Sequence, residues 1–173
     1  RRSDGVFGKW LGFAGLLGLY AILMSGGVIL IVFLQSDYIP RNMLTGLSLI
    51  YLESLLVMTI SLAGSSAMPA LATGGMVFGL YGLAFLGGWI EQIGTLANIP
   101  AAVQIGIVSS LIVPTEALWR RAAFEMQTPL ASSLGMSPFG AFSAPSLLMV
   151  AYAILYLGIV LAIAVSTFNR RDI

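Results

Sequence analysis

One carboxylate stands where chemistry inside a membrane is possible. Glu53 lies in the run 43–63 (MLTGLSLIYLESLLVMTISLA), ten residues from either end. About 20 apolar residues cross the hydrocarbon core of a bilayer, so a helix here holds Glu53 near the midplane. An ionised carboxylate at that depth costs at least roughly 2.5 kcal/mol. A partner, a water-filled cavity or a proton must therefore compensate it. Two readings follow: a functional group on a path through the membrane, or a protonated side chain bonded to a neighbouring helix as packing glue. Ser54, Met58, Ser61 and Ser65 follow at i, i+4, i+7 and i+11, on one helix face. They form a weakly polar seam suited to hydrogen bonds between helices.

Most other chemistry is excluded by composition. The chain has no Cys and no His. It therefore has no disulfide, no thiolate or imidazole metal site and no Ser–His triad. No GxxxxGK[ST], HExxH or GxSxG pattern occurs, so nothing here predicts ATP binding or an enzyme. A net charge of +1 gives no sign of a nucleic-acid partner. The residues are 58% hydrophobic and 9% charged, against about 25% charged in an ordinary soluble domain. Too few charges remain to cover a soluble surface, and an all-α integral membrane protein is expected.

Four spans are expected to position Glu53. The first is 10–34, bounded by Lys9 and by Gln35, Ser36 and Asp37. Its Gly12, Gly15 and Gly18 permit close helix approach. Pro40 ends it in a short loop, 37–42. The second, 43–63, carries Glu53 and turns at Gly64, Ser65, Ser66 and Pro69. The third, about 67–90, is rich in Gly, and Gly75 with Gly79 predicts packing against backbone, within this bundle or on a second copy. Trp89 reads as an interfacial aromatic, with Glu91 and Gln92 marking the exit into water. The last span is 147–168, without a charge.

Residues 99–127 are different. The run 99–113 is apolar but short, bracketed by Pro100 and Pro114, and such runs tend to re-enter a membrane rather than cross it. Thr115 is placed to cap a helix over 116–127. On it Leu118, Trp119, Ala122, Ala123 and Met126 share a face, while Glu116 with Arg120, and Arg121 with Glu125, pair at i, i+4 on the wetter side. This reads as a re-entrant helix followed by an interfacial one. Pro129, Pro138 and Pro145 predict loop up to Ser146. Four spans put both termini on one side with Arg1, Arg2, Lys9, Arg170 and Arg171, against Arg41, Arg120 and Arg121 opposite. Five against three favours cytoplasmic termini. If 99–113 crossed instead, five spans would separate the termini.

FGKWLG leads straight into a span, and LAGSS closes the next helix in a small-residue turn. SSLIVPTEALWRRAAFEMQ comes before the final span, and FNRRDI just after it. In that order these segments resemble the permeases of type-two ATP-binding cassette (ABC) exporters: the entry to the middle span, the close of the next, the extracytoplasmic pair of short helices and the tail. Such permeases have six spans after an elbow helix. The resemblance therefore implies that the elbow, two spans and most of a cytoplasmic coupling segment belong before Arg1.

What the resemblance implies is a non-catalytic permease of the plasma membrane, multi-pass, with both termini cytoplasmic. It would pair with a second permease subunit, alike or different, and with a cytoplasmic ABC ATPase that carries ATP and magnesium; this chain itself holds no cofactor. Glu53, Ser54 and Ser61 become candidates for the substrate path. Pro114, Trp119, Arg120 and Arg121 become candidates for an outer gate, with Pro114 its hinge. Two alternatives stay open: a proton-coupled secondary carrier using Glu53, and a non-transporting membrane scaffold. Three of the four spans carry no charged residue, which leaves a proton relay little to work with.

Overall fold

The chain reverses direction sharply after its third long helix, and that reversal sets up the whole arrangement around Glu53. The computed structural model describes residues 2–127 and 145–170. Among them are six helices and no strand: α1 (Arg2–Ser36), α2 (Met43–Ala67), α3 (Ala70–Leu96), α4 (Pro100–Ile112), α5 (Thr115–Met126) and α6 (Leu147–Arg170). Four are long and apolar enough to cross a membrane, in α1, α2, α3 and α6, while α4 and α5 form a pair bent by 103°. This is the expected polytopic helical bundle. Of the loop expected before α6, Pro145 and Ser146 are non-helical. Residues 128–144, with Pro129 and Pro138, lie outside the described residues, as do Arg1, Arg171 and Asp172.

Helix ends run past the apolar stretches that predicted them. Polar residues near the bilayer surface need not break a helix, because its backbone bonds stay satisfied internally. Thus α1 includes the polar lead-in from Arg2, and α3 continues through Glu91 to Leu96. The predicted turn at Gly64–Ser66 is instead the last turn of α2. Ser65 and Ser66 donate to the carbonyls of Leu62 and Ala63 one turn back, and the chain breaks only at Met68–Pro69. Gly64 serves close packing, since a Cβ there would meet Met76 Cε at 2.7 Å.

The reversal after α3 is a Schellman ending. Ile99 N–H donates to Gly94 O at 2.8 Å, and Asn98 N–H points to Thr95 O at 3.4 Å. Asn98 sits between them at φ 55°, a left-handed conformation that Asn tolerates well. Pro100 then opens α4, at a position where its missing N–H costs nothing.

Helix α4 runs back along α3 at backbone contact. A Cβ on Gly94 would stand 2.7 Å from Ala102 Cβ; one on Gly87 would overlap Ser109; one on Gly106 would lie 2.8 Å from Gly87 O. Small residues thus let two helices approach where lipid gives no hydrophobic drive for association. The expected pair Gly75 and Gly79 plays no such part among the described residues, having none of them within 4 Å of a would-be Cβ; the same holds for Gly12 and Gly15.

After the bend, α5 returns along α2. Thr115 shares a small cavity with Val57 and Ile60, Trp119 one with Glu53, and Met126 covers Gly46. The pair is therefore a hairpin whose two legs pack on different spans. Its tip is deeply buried: Val113, Pro114, Thr115 and Leu118 are almost fully covered, beside Leu56 and Ala84. Outside this core, side chains such as Leu71, Phe78 and Leu148 are exposed, as lipid-facing residues are.

Helix α1 is peripheral. None of its most apolar 18-residue stretch is buried, against a third for α2. Two side-chain hydrogen bonds tie it to α2. Trp10 Nε1 donates to Thr59 Oγ1 at 2.9 Å, and Tyr51 donates to Ala14 O at 2.8 Å.

Candidate functional site

Helices α2 and α3 with the returning leg α5 enclose a groove of about 460 Å³. Glu53 and Ser54 enter it from α2, Tyr81 from α3 and Trp119 from α5; Ile50, Val57 and Met58 make its apolar wall. The 3.6-residue repeat of α2 puts Ile50, Glu53, Ser54 and Val57 on that side. Tyr81 donates a long hydrogen bond to Glu53 Oε1, 3.4 Å. No cationic side chain pairs with Glu53 among the described residues. The rings of Tyr81 and Trp119 stand partly open, at 44% and 43% exposure, so the groove has a free side.

Ser54 lines the groove, but its hydroxyl is bonded to Ile50 O in its own helix at 2.9 Å. Ser61 is not among the residues that line it. The seam on α2 therefore does not make the interhelical bonds expected of it. Ser54 and Ser65 bond back to their own helix, as Ser side chains in helices often do. The interhelical bonds come from Tyr51 and Thr59 on the other side of α2. Thr59 donates to Leu55 O at 2.6 Å, which leaves its oxygen to accept from Trp10.

The four residues of the re-entrant pair divide three ways. Pro114 sits at the buried tip, immediately before α5, as a hinge position would. Trp119 faces the Glu53 groove. Arg120 and Arg121 turn elsewhere. Arg120 Nη2 donates to Glu91 Oε2 at 2.8 Å, an ion pair from α5 to α3. Arg121 donates to Pro145 O at 2.7 Å and to Glu125 at 2.9 Å, while Asn42 reaches the same carboxylate at 2.7 Å.

Two expectations are corrected here. The Glu116–Arg120 pair does not form; the guanidinium goes to Glu91 instead. The reason is burial: Glu116 and Arg120 are 8% and 7% exposed, not on a wet face. Inside the hairpin a direct bond to a carboxylate of another helix outweighs a neighbour one turn away. Glu91 accordingly turns toward α5. Thr115 is the second correction: its hydroxyl caps nothing and is buried without a hydrogen bond, and Pro114 occupies the cap position.

Glu116 packs on Gly88 of α3, whose added Cβ would lie 2.4 Å from Glu116 Cγ. From there it is within electrostatic reach of Glu53, Glu91 and Arg120. Glu116 and Glu91 thus lie near the Arg120 guanidinium, and Glu116 is also within reach of Glu53. Beside them Ser110, Glu91 and Arg120 line a second cavity of about 170 Å³ under the start of α6, where Ser110 Oγ and Arg120 Nε make no hydrogen bond.

No protein-family model, curated protein or solved structure matches this chain.

Tyr81 was not singled out by sequence reasoning, and Glu91 was read only as marking the exit into water. A hydroxyl in mid-span was the available signal for Tyr81. The signal for Glu91 was an acidic residue inside a helix pattern continuing to Leu96, with two arginines downstream needing partners. Among the described residues no three acidic side chains come close enough to hold a metal ion.

Proposed function

We propose that this chain is the membrane-spanning permease subunit of an ATP-binding cassette exporter, forming a substrate path and driven by a separate cytoplasmic ATPase. The observation that carries the reading is the hairpin α4–α5, bent by 103° and set between the third and last spans. That is the order in which the resembled permeases place their short extracytoplasmic helices. The groove beside it, with Glu53 and Trp119, supports a path on that face.

In this reading two permeases, alike or different, stand together in the plasma membrane with their termini in the cytoplasm. Two ATPase subunits close on ATP and magnesium below them and swing the bundle between inward-open and outward-open forms. The hairpin moves about Pro114 as the outer gate. Chemistry in this chain is limited to binding, because a shifting bundle needs no catalytic group of its own.

The test is purification of the native full-length protein from membranes in mild detergent, with mass spectrometry of what accompanies it. A stoichiometric soluble subunit with a phosphate-binding loop is expected. Recovery of the folded protein alone, in several detergents, would refute the reading. A proton-coupled carrier would then lead, favoured by the absence of a cationic partner for Glu53 among the described residues.

A further inference from the structure

We propose that the groove between α2, α3 and α5 binds a monovalent organic cation, its charge on Glu53 and its body between Tyr81 and Trp119. This deepens the substrate-path reading and rests on it for biological meaning, although binding itself can be tested without any ATPase.

Four features converge. First, Glu53 opens onto a groove of about 460 Å³, within the usual range for small-molecule sites. Second, two aromatic rings, Tyr81 and Trp119, reach the same groove from different helices, and both stay partly exposed. Aromatic faces attract cations, most of all those with diffuse charge and little hydration. Third, the remaining wall is apolar, from Ile50, Val57 and Met58. A bare metal ion needs a shell of oxygens, which this wall cannot supply, whereas an alkyl or aryl body fits it. Fourth, no cationic side chain of the described residues reaches Glu53: the nearby guanidinium, Arg120, is engaged with Glu91 instead. An anion would meet repulsion here, and a neutral guest would leave Glu53 uncompensated at depth.

Ser54 adds no charge and its hydroxyl is satisfied within α2, so selectivity rests on Glu53 and the two rings. Tyr81 already holds one carboxylate oxygen, leaving the other for the guest.

The probe is tetraphenylphosphonium, with tetraphenylborate as an anion of the same shape. Full-length protein in lipid nanodiscs is titrated with each, empty nanodiscs giving the partitioning background. Saturable binding of the phosphonium is expected, weakened at least tenfold in Glu53→Gln, with no saturable binding of the borate. Equal binding of the two ions, no saturable binding of the phosphonium, or unchanged affinity in Glu53→Gln would overturn the proposal; the last outcome would leave Glu53 a proton site only. Should Glu53→Gln fail to assemble, Trp119→Leu decides, since that ring is 43% exposed and its loss leaves the buried core in place. A loss of severalfold in affinity is expected, and no change overturns the site. Absence of an ATPase on purification would refute the exporter reading while leaving this binding result intact.

Discussion

Gly106 of α4 lies against the backbone of Glu91 on α3: a Cβ at 106 would overlap Glu91 Cβ and stand 3.0 Å from its Cα. This contact sets the height at which the Glu91 carboxylate meets Arg120, so a glycine on one helix positions an ion pair made by two others. The other side of the would-be methyl meets Gly87 O at 2.8 Å, which is backbone and cannot swing aside.

Gly106→Ala should therefore force α3 and α4 apart. Overpacking of this kind costs about 1–3 kcal/mol. Thermal unfolding in detergent should show a midpoint several degrees lower. Gly79→Ala is the internal control, since nothing lies within 4 Å of its would-be Cβ and a helix gains from the change. Equal behaviour of the two variants would contradict the described packing.

Arg120→Met leaves Glu91 inside the hairpin without its ion-pair partner. Breaking a buried pair costs about 3–5 kcal/mol. Arg121→Met should cost less, about 1–3 kcal/mol, because the Arg121 side chain is itself more exposed, 17% against 8% for Arg120. Adding Glu91→Met to Arg120→Met should restore much of the stability, because an apolar pair of similar volume is tolerated there. Additive losses in the double variant would show that the two side chains do not meet.

The course of the α4–α5 hairpin can be read by chemical labelling. The sequence has no Cys, so single cysteines can be introduced without background. Ala97→Cys and Gln127→Cys should react with a membrane-impermeant maleimide from the same side as Tyr38→Cys. Ser65→Cys should react from the other side. Labelling of 97 and 127 from opposite sides would make the pair a fifth span.

Transport separates the two energy sources. With Glu53→Gln an ATP-driven exporter should keep part of its activity in inverted vesicles, whereas a carrier that uses Glu53 as its proton site should lose all of it. Complete loss at normal expression, for a substrate without charge, would count against the exporter reading.

The four spans and the broken pair were legible because they depend on run length and on proline, and both act locally. The carboxylate at depth was legible for the same reason: one charged residue in 21 needs only counting. What could not be read was which way each polar side chain turns. Arg120 has an acidic neighbour at i−4 and another on α3, and only the fold decides that the distant one wins. The glycines make the same point. Gly75 and Gly79 fit the packing motif yet meet nothing among the described residues, while Gly87, Gly88, Gly94 and Gly106 carry the contacts. The motif states that approach is permitted; the Schellman reversal at Asn98 decides where it happens.

The hairpin also dictates an order of assembly. Helix α5 holds four charged residues in twelve, Glu116, Arg120, Arg121 and Glu125. Released into lipid alone, each would be opposed by roughly 2–3 kcal/mol during insertion. Arg120 finds Glu91 on a helix synthesised earlier and Arg121 finds Glu125 within α5, but the second bond of Arg121, to Pro145 O, needs the threshold of α6. The packing of newly made α5 is therefore completed only as the chain beyond residue 145 emerges from the ribosome.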